Sequence, residues 1–361
     1  MNAKMQHNAK WRGLDNVFKA FWPFLIPFSF LYGQAMMLRD HLYHRGCLTV
    51  HSLPRPVISI GNLTLGGTGK TPTVIFTARL LKDAGRRPAV VSRGYRGESK
   101  EAFNVVSDSR TLLLEWRLAG DEACMLARSL PGIPVLTGRK RIDPARAAIE
   151  RFYADTIVLD DAFQHLSLKR QIDIVLIDSH SGFGNGRVLP AGPMREPPAA
   201  LDRADIIVIT KWNEQQEPSP GEMAARIWNQ RAPIFHARYC PKMLVDDQDR
   251  RFPVSSMKGI KVCAVAGLAD PEHFLSTLKS LGAQVMDAAL FDDHYQYPER
   301  ELARIITLSK KADCLITTEK DMVKLTGRVP GLLALVVEQE IIEHEAFKQL
   351  ILERIRMFEQ G

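Results

Sequence analysis

At 361 residues, with 45% hydrophobic and 25% charged side chains, the chain has the composition of a folded protein large enough for two cores, not of a disordered or fibrous one. Its formal charge of +7 favours anionic partners: a phosphate, a nucleic acid or an anionic lipid surface. Cys47, Cys124, Cys240, Cys263 and Cys314 stand far apart, with no CxxC and no histidine at ligand spacing. That spacing argues against a disulfide framework or a zinc site, and for a reduced, cytosol-facing protein.

The first element, in segment 1–50, is an apolar stretch from Ala20 to Leu38, AFWPFLIPFSFLYGQAMML, bracketed by Lys19 and Arg39. It only just reaches the roughly 20 residues that cross a bilayer. Pro23, Pro27, Ser29 and Gln34 make it a poor uninterrupted span, and there is no small-residue cleavage site of a signal peptide. Trp11, Trp22, Tyr32 and Tyr43 are aromatic belt residues, and Lys4, Lys10, Arg12, Lys19, Arg39 and Arg45 can meet anionic headgroups. The leading reading is a helix lying in the membrane interface; a true span and a buried helix are the alternatives.

Short apolar runs then alternate with helical patterns: PVISIGN (56–62), PAVVSRGY (88–95), PVLTG (134–138), TIVLDDAF (156–163), DIVLIDS (173–179) and DIIVITK (205–211). Continuous Val/Ile runs of this kind are strands of a parallel sheet buried on both faces. They predict a doubly wound α/β core over 51–235, with helices near 73–84 and 143–153. A hairpin-like linker follows over 236–260. A smaller α/β unit over 261–361 restarts with KVCAVAGLAD and is sized to close over the first.

The first strand leads into GNLTLGGTGKTPT (61–73), which matches the phosphate loop GxxxxGK[ST] except that Thr64 stands where the first glycine belongs. Thr64, Leu65, Gly66, Gly67, Thr68, Gly69, Lys70 and Thr71 are therefore the candidate phosphate-binding residues. The glycines let backbone N–H groups turn inward, Lys70 reaches the β- and γ-phosphates, and the Thr71 hydroxyl can ligate Mg2+. Asp160 and Asp161, closing an apolar strand, have the form of a Walker B carboxylate pair; both are candidate metal residues, with no choice made between them. VITKWN (208–213) is a weak relative of the guanine-reading NKxD motif, with Thr210 for Asn and Asn213 for Asp. Without the carboxylate that pairs with guanine, ATP is the better nucleotide.

Further polar clusters leave alternatives open. Asp121 and Glu122, in AGDEACMLA, read from spacing alone as a helix cap and first-turn acid before they read as catalytic. His294, in FDDHYQYP, reads equally as a surface histidine beside Asp292 and Asp293. Taken in order, however, FLYGQAMMLRDHLY, GNLTLGGTGKTP, VVSRGYRG, AGDEA, LDDAFQH, GFGNGRVLPAGPMREP, FDDHYQYP and TTEKDMVKL make most of the chain resemble the tetraacyldisaccharide 4′-kinase family. The irregular start of the phosphate loop is typical of that family.

The resemblance implies a P-loop NTPase-like core that uses ATP and Mg2+ to phosphorylate the 4′-hydroxyl of a tetraacyldisaccharide 1-phosphate, forming lipid IVA in lipid A biosynthesis. Lys70 and Thr71 would bind phosphates and metal, with Asp160 and Asp161 at the metal. Asp121 would be the general base or orienting carboxylate, and His294 would join it when the domains close. Arg93 and Arg195, the latter in LPAGPMREP, would contact phosphate or sugar. Ala123 stands where the family often has Pro, and Ala162-Phe163 where it often has Gly with Leu or Phe; neither changes a carboxylate. The implied partners are an acylated disaccharide lipid and the cytoplasmic face of a Gram-negative inner membrane, met peripherally or through one N-terminal anchor, with no nucleic acid or protein partner. An acylated sugar cannot leave the bilayer cheaply, at about 0.8 kcal/mol per exposed CH2, so the enzyme must come to it.

Two rival readings remain. A regulatory or assembly P-loop ATPase would usually carry lysine at position 65, where this chain has Leu65. A nucleic-acid-binding protein would show basic patches interleaved with aromatics, which this sequence lacks.

Overall fold

A computed structural model describes residues 3–214, 218–268 and 270–360, with side chains from residue 24 onward. Trp11, Trp22, Lys4, Lys10, Arg12 and Lys19 lie outside the described side chains. Helix α1 (Ala3–His44) leads to β1 (Val57–Asn62), the phosphate loop and α2 (Lys70–Asp83). Next come β2 (Pro88–Ser92), β3 (Asn104–Ser107), α3 (Trp116–Ala119), α4 (Asp121–Ser129), β4 (Val135–Thr137) and α5 (Ile142–Phe152). β5 (Thr156–Asp160), β6 (Ile172–Asp178), β7 (Ile206–Thr210), α6 (Pro220–Trp228), the long β8 (Ile234–Val245) and β9 (Arg251–Pro253) follow. The chain ends with β10 (Lys261–Gly267), α7 (Pro271–Ser280), β11 (Gln284–Phe291), α8 (Glu299–Ser309), β12 (Cys314–Thr318), α9 (Glu319–Leu325), β13 (Leu332–Ile341) and α10 (His344–Gln360).

The thirteen strands among the described residues form one sheet, ordered β11-β10-β12-β13-β8-β7-β6-β1-β5-β2-β4-β3, with β9 paired to β8. From β4 through β8 the pairs are parallel, as the continuous apolar runs require, and every residue of β1, β2, β5, β6 and β7 is buried. β8 joins the halves: its start runs parallel to β7, and its length from Ala237 to Val245 runs antiparallel to β13. Residues 236–245 are therefore strand, and the hairpin falls between Met243 and Pro253. α10 returns to the first half, where Phe347, Ile351 and Ile355 are buried in the same core as Ile58, Ile60 and Leu81.

α1 continues through Pro23 and Pro27. One face is fastened to the body: Tyr32 Oη donates to Arg195 O at 2.9 Å, Arg39 to Gln164 O at 2.9 Å, and Asp40 pairs with Arg203 at 2.7 Å. The other leaves Phe24, Phe28, Phe30, Leu31 and Leu38 exposed. Among the described residues no helix is long and apolar enough to cross a membrane.

Candidate active site

Adjacency of β1 and β5 brings the phosphate loop beside the acidic strand end, with Ile60 level with Asp160. Thr64 forms an antiparallel bridge with Met194, while Arg195 N donates to Leu63 O and Leu65 N to Pro193 O, both at 2.7 Å. The backbone at 64 is thus extended and paired, so a glycine's freedom is not needed there. At Gly69 it is needed: φ is +84°, and a side chain would strike the Tyr239 hydroxyl. Lys70 Nζ donates to Asn62 Oδ1 at 3.2 Å and stands 3.7 Å from Asp161 Oδ1. Thr68 Oγ1 is buried without a hydrogen-bond partner, an orphan donor in the loop that a phosphate oxygen would satisfy.

The two aspartates diverge. Asp160 ends β5, buried, and accepts from Ser92 Oγ at 3.0 Å. Burial, then the nearby Glu122 and Asp161, push its carboxyl up to about 7. Asp161 turns out of the strand at φ +48° and accepts from Arg195 Nη1 at 2.8 and 2.9 Å. Burial opposes its ionisation, but Lys70 and Arg195 outweigh that and hold it below the usual carboxylate range. Among the described residues no three His, Cys, Asp or Glu side chains are grouped to hold a metal. The all-oxygen set of Asp160, Asp161 and Thr71 suits Mg2+ that completes its shell with phosphate and water. The crowded negative charge that raises Asp160 fits such a cation.

A second cluster faces this one. Gly120, at φ +93° and with a would-be Cβ 2.6 Å from Tyr95 O, starts α4 so that Asp121 lies at its first turn, buried. His294 sits at φ +64° in the turn after β11, its carbonyl accepting from Arg96 at 3.3 Å. Its Nδ1 lies 3.0 and 2.9 Å from the Asp121 oxygens. From α9, Lys324 Nζ stands 2.9 Å from Asp121 Oδ2, and Lys320 Nζ 3.1 Å from His294 Nε2. Burial opposes ionisation of Asp121, yet His294 and Lys324 hold it far below the ordinary carboxylate range. Sequence reasoning quoted the TTEKDMVKL stretch but assigned no role to Lys320 or Lys324; their four-residue spacing on one helix face was the available signal.

Both clusters open on one cavity of about 2000 Å³, lined by Lys70, Thr71, Arg93, Asp160, Asp161, Arg195, Glu122, His294 and Lys320, and by Met36 and Arg39 of α1. Asp121 lies behind that wall, not on it. Lys211, Trp212, Asn213 and Tyr239 line it as well, and Lys211 pairs with Asp178 at 2.8 Å.

A phosphate loop, a paired acidic strand end and a buried carboxylate–imidazole pair on one cavity define the class: a P-loop phosphotransferase. The family profile described as Tetraacyldisaccharide-1-P 4′-kinase matches residues 21–356. The tetraacyldisaccharide 4′-kinase of Syntrophus aciditrophicus is 42% identical over 345 residues, covering 91% of this chain and 92% of that protein. That of Geobacter sulfurreducens is 43% identical over 303 residues, covering 84% of each. The crystal structure of an LpxK from Aquifex aeolicus in complex with ATP superposes with a TM-score of 0.78 at 33% identity, covering 93% of this chain and 99% of that one. The chain belongs to the tetraacyldisaccharide-1-P 4′-kinase family.

Proposed function

We propose that this protein transfers the γ-phosphoryl group of ATP to the 4′-hydroxyl of a tetraacyldisaccharide 1-phosphate presented at a membrane surface. The observation that carries the reading is the single cavity shared by the phosphate loop, the acidic pair and His294, with α1 at its edge. Backbone N–H groups of residues 64–71 and the N-terminus of α2 bind the phosphates, and Lys70 neutralises charge that builds on the transferred group. Asp160, Asp161 and Thr71 are the residues that would hold Mg2+, which when bound neutralises phosphate charge. His294 Nε2 accepts the proton of the 4′-hydroxyl as its oxygen bonds to phosphorus and the bond to the ADP oxygen breaks. Asp121, behind the ring, orients it through Nδ1. Arg93 and Arg195 contact phosphate or sugar, and Arg195 also braces Asp161. The exposed Phe24, Phe28, Leu31 and Leu38 lie in the acyl boundary of the membrane, on the cytosolic side where ATP is found.

The test is incubation with ATP, Mg2+ and the acylated disaccharide, followed by mass spectrometry of the lipid. A product heavier by one phosphate is expected. ADP formed with the lipid unchanged would overturn the reading and favour a regulatory ATPase.

A further inference from the structure

Lys324 is one of the largest fully buried side chains in the molecule, an ammonium group held where burial is costly. Its placement is built. Thr318 caps α9 by accepting from Asp321 N at 3.1 Å, and Asp321 accepts from Gly267 N at 2.8 Å, so the helix is tied to the ends of β10 and β12. One turn on, Lys324 Nζ reaches Asp121 Oδ2 at 2.9 Å and donates to Tyr295 O at 3.2 Å, with the Tyr297 ring 5.8 Å away. It does not line the cavity, so it touches neither nucleotide nor acceptor. Lys320, four residues earlier on the same face, does line it, and donates to His294 Nε2.

With an ammonium donating to Nε2, that nitrogen carries a lone pair, and the hydrogen-bond network then assigns the ring proton to Nδ1, facing Asp121. This is the tautomer that a proton acceptor at Nε2 requires. It is held in a strongly acidic setting. Asp121 contacts Nδ1, while Asp293 and Glu122 lie 3.6 and 3.8 Å from Nε2. The lysines of α9 are the counter-charge.

We propose that Lys324 is a positioning residue for the transfer reaction: paired to Asp121, it holds the carboxylate against Nδ1 and, with Lys320 on the opposite nitrogen, keeps the Nε2 lone pair aimed at the cavity until the substrate hydroxyl displaces Lys320. The inference rests on the reading that His294 and Asp121 serve the acceptor hydroxyl. The charged and titratable groups around Asp121 are His294 and Asp293 from the turn after β11, Tyr297 beyond it, Lys320, Asp321 and Lys324 from α9, and Glu122 and Cys124 on its own helix. Arg96 donates to the His294 carbonyl and the Tyr95 ring stands 5.6 Å from the imidazole, but Lys320 and Lys324 are the cations bonded to the imidazole–carboxylate pair itself, so removing either takes a positive charge from beside it.

The experiment compares Lys324→Met, Lys324→Arg and Lys320→Met in the full chain, measuring kcat, KM for ATP and the pH profile of kcat. Lys324→Met should lower kcat by about 10²-fold, within the range of lost acid–base assistance, and move the acid limb of the profile to higher pH, with KM for ATP within about twofold. Lys324→Arg should restore the position of that limb. A folded Lys324→Met with an unmoved acid limb overturns the proposal, even if kcat falls, because a purely structural lysine changes rate without changing the profile. Should Lys324→Met fail to fold, Lys320→Met decides: a displaced limb supports the counter-charge role, and an unmoved one refutes it. Asp121→Asn and His294→Ala run alongside. Their full activity would sink the reading of the pair itself, whatever the lysines do.

Discussion

Asp160→Asn is expected to stabilise the nucleotide-free, Mg2+-free protein while destroying its activity. The carboxyl is buried, and its pKa is raised from 3.8 to about 7, by burial first and then by Glu122 and Asp161. Because the folded value lies above the unfolded one, the stabilisation belongs to the protonated acid: it is complete below the unfolded pKa and disappears as pH climbs through about 7. At about 1.4 kcal/mol per pH unit, keeping the ionised group inside at pH 8 costs about 4 kcal/mol. Asparagine carries no charge and its amide oxygen still accepts from Ser92. Weakening that charge-assisted bond and placing an NH2 group return about 1–2 kcal/mol. A net gain of about 2 kcal/mol remains, worth a few degrees in melting temperature. At about pH 5 the cost falls to about 2 kcal/mol, since ionisation in the unfolded chain is then only a little favoured over the buried acid, and the gain should nearly vanish. The assay is thermal melting with a chelator at the two pH values, beside turnover with Mg-ATP, which should fall by about 10²-fold or more. A variant that melts below wild type at pH 8, or gains equally at both values, would falsify the account of this carboxylate.

Lys70→Ala should lower turnover by at least about 10²-fold, because Lys70 is the cation the loop places beside Asn62 and Asp161, where the transferred phosphate charge develops; near-normal turnover removes the loop from the mechanism. Asp121→Asn should reduce kcat by about 10²–10⁴-fold with ATP affinity kept, measured by turnover and nucleotide titration. If affinity collapses instead, Asp121 belongs to the nucleotide site. Phe28→Glu combined with Leu31→Glu should abolish co-sedimentation with anionic vesicles and leave the melting temperature unchanged, since both side chains are exposed. Continued sedimentation would place the docking surface elsewhere.

The phosphate loop was legible because its chemistry is local: glycines, lysine, the strand before and the helix after occupy thirteen consecutive positions, 61–73. Asp160 and Asp161 were legible for the same reason, although only coordinates separate a carboxyl beside Ser92 from one beside Arg195. Asp121 could not be read from spacing, since its partner His294 lies 173 residues away and the two meet through the fold. Only the family resemblance linked them. Lys320 and Lys324 share a helix face in plain sight, but which carboxylate that face meets is tertiary information. β8 hid differently. Its run IFHARYCPKMLV mixes Arg, Lys and Pro with apolar residues, and its partner β13 lies about a hundred residues downstream, so local pattern gave the hairpin and not the strand that joins the halves.

That joining strand bears on how the acceptor hydroxyl is met. The resemblance implies that His294 joins Asp121 when the domains close, and in this structure its ring lies within hydrogen-bond reach of Asp121. β8 and β13 run one sheet through both halves, and α9 packs its lysines on α4. On the α1 side, residues 193–195 are bonded to the phosphate loop through Leu65 and Leu63, to α1 through Tyr32, and to Asp161 through the Arg195 side chain. A shift of α1 therefore pulls on the same short segment that shapes the loop and braces an acidic residue beside it. Helix α1, the phosphate loop and His294 are three walls of one frame. In such a frame the proposed acceptor sugar would be selected by whether its hydroxyl can reach Nε2 while its acyl chains stay beside α1.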